Sequence, residues 1–86
     1  MNAQFHKTFD KQFAKLTNKQ KARVIKALEL FFDNPVDPQL RNHPLTGEWA
    51  AYRSISAGGD MRLHYELIDA KVAYFVSVGT HSQLYR

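Results

Sequence analysis

Residues 60–67 alternate between polar and apolar side chains, which is the pattern of a β-strand that buries one of its faces. The apolar positions are Met61, Leu63, Tyr65 and Leu67. The ionisable positions are Asp60, Arg62, His64 and Glu66. A shift of one residue would bury all four ionisable groups, so the pattern predicts a sheet with one face in the core and one open, polar face.

Two helices are predicted before this strand. Apolar residues at helical spacing indicate a first helix over roughly residues 7–16, and they are Phe9, Phe13 and Leu16. Thr17 followed by Gln20 resembles a capping box, which predicts that a second helix begins there. That helix is expected to run to about Asp33, because the residue before Pro35 is pushed out of the helical region.

The second half of the chain predicts three strands joined by short turns, which favours antiparallel pairing. The predicted segments are strands at Glu48–Ile55, Asp60–Leu67 and Val72–Val78, with turns at Gly58–Gly59 and near Asp69. Met1–Phe5 is predicted as a short leading strand, and Val36–Pro44 as an extended loop. The expected fold class is α+β, with two N-terminal helices packed on one face of a small antiparallel sheet in the order (β)ααβββ.

Composition limits what such a chain can be. With 86 residues, of which 44% are hydrophobic, residues 1–86 are expected to form a single domain with one core. The absence of cysteine excludes disulfides and thiolate metal sites. No secretory pattern and no membrane-length apolar run occur, so we expect a soluble, cytoplasmic protein without a membrane partner.

Positive charge is concentrated in the first third of the sequence. Residues 1–27 hold seven Lys and Arg side chains against one acidic residue, a balance of +6, whereas residues 28–86 have a balance of −2. Lys7, Lys11 and Lys15 recur at a four-residue step that Lys19 and Arg23 continue, and they are candidates for binding a polyanion, RNA included, or an acidic protein partner. Charge alone favours the alternative, a solvated helix face.

Two histidines flank the predicted sheet and suggest chemistry at its open face. His43 precedes the sheet and His81 follows the last strand, while Arg62 and Asp60 lie on the open face between them. RNA cleavage by its own 2′-hydroxyl needs a base, an acid and positive charge at the phosphate, which two imidazoles and a guanidinium can supply. Neither histidine has companions at zinc-ligand spacing, so no metal and no cofactor are predicted. Tyr85 can stack on a base or complete the core.

These residues lie within motifs that resemble a known family. The motifs are Pro35-x₂-Pro38, Leu40-Arg41-Asn42-His43-Pro44-Leu45-x-Gly47-x-Trp49, Tyr52-Arg53, Arg62-Leu63-x-Tyr65 and Val78-Gly79-Thr80-His81. The ordered set resembles the RelE/ParE toxin superfamily, and its His-Pro-Leu-x-Gly-x-Trp and Gly-Thr-His segments look most like the YafQ branch. The resemblance implies an mRNA interferase of a type II toxin–antitoxin system, an endoribonuclease that cuts mRNA on the ribosome and is neutralised by a cognate antitoxin.

The resemblance also implies roles for individual residues. His43 and His81 match the catalytic histidines of YafQ-type toxins, and Asp60 matches their catalytic aspartate. Arg62 matches the phosphate-stabilising arginine of RelE, and Arg53 stands where RelE has a functional lysine, so it is a candidate RNA contact.

The chain departs from the family pattern at several positions. Ser56 and Met61 replace a histidine and a tryptophan of the YafQ site, and Ile55 replaces a lysine of RelE. Tyr85 falls near the family's C-terminal aromatic residue. Which group acts as base and which as acid therefore stays open.

Two other functions share the same expected fold. One is a ParE-like inhibitor of DNA gyrase, and the other is an inactive relative that only binds its antitoxin. The joint presence of His43, Asp60, Arg62, His81 and the terminal aromatic residue Tyr85 favours the nuclease. The substituted positions Ser56 and Met61 keep the inactive relative open.

Overall fold

The structure, a computed structural model, describes residues 1–84 and contains three α-helices and five β-strands in that range. The helices are α1 (Lys7–Ala14), α2 (Asn18–Asp33) and α3 (His81–Leu84). The strands are β1 (Asn2–Phe5), β2 (His43–Pro44), β3 (Arg53–Ser56), β4 (Met61–Asp69) and β5 (Val72–Thr80). The expected α+β class is confirmed.

The five strands form one sheet in the order β1-β5-β4-β3-β2. β5 pairs antiparallel with β4, and β4 with β3, as the short turns predicted. β3 also pairs antiparallel with β2, which lies in a segment predicted as a loop. β1 pairs parallel with β5, from Asn2 opposite Val72 to Phe5 opposite Phe75. The sheet is therefore mixed rather than wholly antiparallel, because the chain passes through both long helices before it returns beside its own N-terminus.

The boundaries of α2 follow from local hydrogen bonds. The Thr17 hydroxyl accepts from the Gln20 amide at 3.1 Å, and the Gln20 side chain accepts from the Thr17 amide at 3.0 Å, which confirms the capping box. α2 ends at Asp33, one residue before the extended Asn34. α1 ends at Ala14 rather than at residue 16, because Thr17 must adopt the extended conformation of an N-cap. No helix within residues 1–84 has the length and apolar character needed to cross a bilayer.

Three aromatic rings join α2 to the sheet. Phe31 lies edge-on to Tyr65 and Phe75, with ring centroids 5.0 Å and 5.4 Å away, and the Tyr65 and Phe75 rings are 5.3 Å apart. Burying such rings is strongly favourable, and edge-to-face pairs add roughly 0.5–1.5 kcal/mol each. The remaining buried core includes Phe9, Val24, Ala27, Leu40, Ile55, Met61, Leu63, Ala73 and Val78.

The predicted inward positions of β4 are confirmed at Met61, Leu63 and Tyr65, which are at most 2% exposed. The prediction for Leu67 is wrong, because its side chain is 47% exposed. Leu67 lies just before the β4–β5 turn, where residues 67–71 are all exposed. β4 thus continues past the part of the sheet that the core covers.

The segment predicted as a strand over residues 48–55 is shorter in the structure. Gly47 has a φ of 64°, a left-handed conformation that favours glycine, and it starts a 3₁₀ turn over Gly47–Trp49. β3 then begins only at Arg53. The predicted loop over Val36–Pro44 ends in β2, which pairs with β3. The turn places Trp49 over the sheet instead of within it.

A β-bulge interrupts β5. Leu63 pairs with Val78 and Tyr65 pairs with Phe75, so β5 has one more residue than β4 between these pairs. Because His64 pairs with Ser77, the extra residue is Val76. Because of the bulge, Phe75 and Val78 both face the core, and the two residues between them, Val76 and Ser77, are both directed away from it.

Asn42 fixes the loop that precedes β2. Its side-chain nitrogen donates to the carbonyl oxygen of Pro35 at 2.9 Å and to the Tyr65 hydroxyl at 2.7 Å. Its side-chain oxygen accepts from Nε of Arg53 at 2.9 Å. One amide thus joins the loop to both β3 and β4, next to His43.

Replacing Asn42 should destabilise the protein. Asn42→Ala is expected to lower the free energy of unfolding by about 2 kcal/mol, because the buried Tyr65 hydroxyl and the half-buried Arg53 guanidinium both lose a partner. Urea unfolding measures this loss. Asn18→Ala, at an exposed position of α2, should change the value by less than about 0.5 kcal/mol. Equal effects of the two substitutions would contradict this role for Asn42.

Candidate active site

The open face of the sheet carries a row of four polar residues, one from each of four neighbouring strands. His43 of β2 pairs with Ser54 of β3, Ser54 pairs with His64 of β4, and His64 pairs with Ser77 of β5. Residues directly opposite one another share a face of the sheet. Strands are spaced about 4.8 Å apart, so the backbones of His43 and His64 lie roughly 10 Å apart on one surface.

Arg62 lies in the next row, two residues before His64 on β4. It pairs with Ser56 on one side and with Gly79 on the other. Its Nη1 donates to the Ser56 hydroxyl at 3.3 Å and to the carbonyl oxygens of Gly59 and Met61, each at 2.9 Å. Nε and Nη2 form no hydrogen bond within residues 1–84. The guanidinium is therefore anchored by one nitrogen and keeps donors for a phosphate.

His43 is exposed and held in one orientation. Its Nδ1 lies 2.7 Å from the carbonyl oxygen of Arg41, which can only accept, so Nδ1 carries a proton. Arg41 has a φ of 49°, and this left-handed residue turns its carbonyl toward the ring. Nε2 has no hydrogen-bond partner in the described part of the chain. Because Nδ1 donates its hydrogen bond to a backbone carbonyl, Nε2 is the ring nitrogen available for proton transfer.

His81 follows β5 and lies beside Asp60, which is four residues before His64 in the row that contains His43. Its amide donates to the carbonyl oxygen of Asp60 at 2.9 Å, which places the two residues side by side. A capping arrangement starts α3 at this point, since the Thr80 amide donates to the Gln83 side chain at 2.9 Å and the Gln83 amide donates to the Thr80 hydroxyl at 3.3 Å. The side chains of His81 and Asp60 are both exposed.

His64 lies between these groups and is 0% exposed. Its imidazole packs edge-on to the Trp49 indole, with ring centroids 5.2 Å apart. Burial, and to a smaller extent positive charge on His43 and on His81, together lower the pKa of His64 to about 4. The prediction that His64 lies on the open face agrees with the register, but Trp49 covers it. The Gly47 turn that positions Trp49 was the signal missed in the sequence.

Other predicted site residues lie elsewhere. Arg53 pairs with Tyr65, so it shares the core-side face rather than the open one, and its Nε bonds Asn42. Lys7, Lys11 and Lys15 are exposed along α1, and this basic stripe stops where α1 ends. Tyr85 lies outside the described residues.

A groove of about 380 Å³ adjoins the row on the open face. Sequence reasoning assigned no role to the aromatic residues that line it, which are His6, Trp49, Tyr52 and Tyr74. The bulge residues Val76 and Ser77 also line it, together with Glu66. No cluster of three or more His, Asp or Glu side chains suited to a metal ion occurs within residues 1–84.

The buried histidine predicts a pH-dependent stability. The folded-state pKa of His64 is about 4, below the ordinary value of 6.5, so the unfolded chain takes up the proton first as pH falls. Stability is expected to be full above pH 6.5 and to decrease between pH 6.5 and 4, by on the order of 2 kcal/mol after allowance for solvent screening.

Urea unfolding between pH 7 and 4, with an NMR titration of the His64 ring, measures this effect. His64→Leu should lose most of the slope, whereas Lys71→Leu, in the exposed β4–β5 turn, should retain it. A His64 resonance that titrates near pH 6.5 would be incompatible with the buried site.

Comparison with known proteins gives a consistent family. A model of the family described as "Bacterial toxin of type II toxin-antitoxin system, YafQ" matches residues 1–86. The crystal structure of YafQ from E. coli strain BL21(DE3) is 26% identical with a TM-score of 0.80, covering 99% of this chain and 98% of that chain. A chain of the E. coli DinJ-YafQ toxin-antitoxin complex is 26% identical with a TM-score of 0.77, covering 99% and 97%.

A more distant neighbour shares the fold alone. The YoeB/ParE toxin from Agrobacterium tumefaciens is 13% identical with a TM-score of 0.77, covering 94% of this chain and 99% of that chain. No curated protein matches the chain in sequence.

Proposed function

The chain belongs to the YafQ family of bacterial toxins of type II toxin–antitoxin systems, as its motifs predicted, and on this premise we propose that it is a metal-independent endoribonuclease that cleaves mRNA on the ribosome. The observation that carries the proposal is that Arg62 lies on the open sheet face between the row that contains His43 and the point where Asp60 and His81 meet, with both imidazoles near enough to His64 to lower its pKa. The toxin would act in the cytoplasm, where ribosomes translate.

The two exposed histidines divide the proton transfers. One imidazole takes the proton of the 2′-hydroxyl as its oxygen attacks the adjacent phosphorus, and the other gives a proton to the departing 5′-oxygen. His43 is suited to either step because its Nδ1 is fixed on a carbonyl and its Nε2 faces solvent. His64 takes neither role at neutral pH, since its lowered pKa keeps the buried ring uncharged and Trp49 covers it.

Arg62 stabilises the charge that develops on the phosphate. Its anchored Nη1 holds the guanidinium in place, so Nε and Nη2 can meet two phosphate oxygens without reorganisation. Ser56 stands where the YafQ branch has a further histidine, and its hydroxyl accepts from Arg62. Serine at this position therefore supports the arginine instead of carrying a proton. Asp60, beside His81, would orient or charge-balance that imidazole.

The proposed partners of this chain are ribosomal RNA and a cognate antitoxin. The basic stripe of Lys7, Lys11 and Lys15 would approach ribosomal RNA phosphates, since exposed cations at helical spacing attract a polyanion. Arg53 contributes by bonding Asn42 and so holding the His43 loop, which makes it a positioning residue. The E. coli relative is seen in a DinJ-YafQ toxin-antitoxin complex, and a cognate antitoxin is proposed as the protein partner of this chain.

Substitution of the site residues tests the chemistry. In a cell-free translation reaction, His43→Ala and His81→Ala should each slow message cleavage by roughly 10²–10⁴-fold, and Arg62→Ala by roughly 10²–10³-fold. Primer extension on the recovered message measures the cleavage. Lys71→Ala, an exposed cation in the β4–β5 turn, should cut at the wild-type rate.

The same assay separates the nuclease from both rival functions. A gyrase inhibitor and an inactive antitoxin-binding relative would each leave the message intact and translation unaffected. Wild-type cleavage by His81→Ala protein would remove the assignment of that residue.

Charge reversal tests the basic stripe. Lys11→Glu combined with Lys15→Glu should weaken ribosome binding by at least about tenfold at low salt, and the difference should shrink as salt rises. Cosedimentation with ribosomes measures the binding. The matched control is Lys19→Glu with Lys26→Glu on α2, which has the same charge change outside the stripe. Equal losses in both pairs would indicate attraction by net charge alone.

A further inference from the structure

The groove lies beside the polar row of His43, Ser54, His64 and Ser77, and aromatic side chains form two of its walls. Trp49 and Tyr52 form one wall, with ring centroids 5.5 Å apart, and His6 and Tyr74 form the other, at 5.9 Å. All four rings are half-buried, so each keeps an accessible part. Unstacked bases of single-stranded RNA are held on such aromatic surfaces. The groove has about 380 Å³ of space, within the usual range of small-molecule sites.

The floor of the groove depends on the β-bulge in β5. Regular alternation would direct only one of Val76 and Ser77 to this side of the sheet, but both line the groove. Their small side chains leave room for a flat ring. The Trp49 indole also packs on His64, so anything stacked on Trp49 lies next to the row that leads to His43.

Glu66 gives the groove its charge. It is the one carboxylate that lines the groove, and no Lys or Arg side chain lines it among the described residues. Its carboxylate has no hydrogen bond or ion pair within residues 1–84. A lone carboxylate repels a phosphate and accepts hydrogen bonds from two adjacent donors.

From these observations we propose that the groove binds a guanine base of the RNA, stacked on Trp49, with Glu66 accepting from the guanine N1–H and exocyclic N2–H₂. Guanine alone among the four bases presents two neighbouring donors on its pairing edge. Adenine and cytosine place a ring acceptor beside their amino group, and uracil places carbonyl oxygens beside its N3–H. The inference rests on the proposed function in taking RNA as the source of the base.

The position of α1 agrees with this orientation. Thr8 and Gln12 line the groove, and each immediately follows a lysine of the basic stripe. Successive residues are about 100° apart around a helix, so Lys7 and Lys11 lie beside the groove without lining it. The sugar–phosphate backbone would pass along these lysines while the base enters the groove.

The protein contains a single tryptophan, so nucleotide binding can be followed directly. Stacking on Trp49 should quench its fluorescence saturably. GMP is expected to bind at least about tenfold more tightly than AMP, CMP or UMP, because a charged hydrogen-bond pair is lost with each of these. Inosine monophosphate lacks the 2-amino group and should bind between GMP and AMP. N-acetyltryptophanamide corrects for light absorption by the nucleotides.

Two variants separate the parts of the site. Glu66→Gln keeps the side-chain size but replaces one acceptor with a donor, and it should bring the four affinities within about threefold of one another. Tyr74→Leu removes aromatic surface and should weaken all nucleotides alike. Glu29→Gln, on the exposed face of α2, is the matched control and should leave the GMP preference unchanged.

Three results would overturn the inference. They are equal affinities of the wild-type protein for the four nucleotides, no saturable quenching of Trp49, and a GMP preference that survives Glu66→Gln. Primer extension adds a second readout, in which a guanine preference at one position beside the cut disappears in Glu66→Gln protein. Because nucleotide titration needs no cleavage, absence of cleavage with GMP binding intact would reject the proposed nuclease function and leave the guanine site standing.

Discussion

The contact of Phe31 with Tyr65 and Phe75 determines which way the sheet faces. These three buried rings hold α2 against β4 and β5, and strand alternation then directs Arg62, His64 and Glu66 to the opposite side. The orientation of this polar face is thus a consequence of core packing rather than of any interaction between the polar groups themselves. Without this aromatic contact β4 would lose its orientation. His64 and Arg62 would then no longer share one surface of the sheet.

Much of this arrangement could be predicted from local sequence. The alternation in β4 identified both of its faces, the Thr17 capping box marked the start of α2, and Pro35 marked its end, because each is a short-range effect of one or two residues. The motif order around His43 and His81 indicated the family before the fold was known. The assignment of catalytic roles to His43, Asp60, Arg62 and His81 remains a prediction. The register places Arg62 between the row that contains His43 and the point where Asp60 and His81 meet.

The features that could not be predicted depend on contacts between distant segments. A bulge at Val76 changes the alternation of β5, and nothing in that apolar run marks which residue is extra. Trp49 covers His64 only because a left-handed Gly47 bends the chain back over the sheet. The sequence predicted Arg53 as a cation available to RNA. Arg53 instead pairs with Tyr65 and so lies on the core-side face of the sheet, where its Nε donates to Asn42. In each case the sequence pattern specifies the residue type, and tertiary pairing decides its surroundings.

The parallel pairing of β1 with β5 has a consequence for how the toxin is made. Asn2 is partnered by Val72, so the sheet cannot be completed until residue 72 has been synthesised. Contacts of such long sequence separation form slowly, because a large loop must close before any of them is gained. A nascent chain that has not reached residue 72 therefore lacks the pairing of β1 with β5, and every property that depends on the complete sheet appears only after that residue has been added.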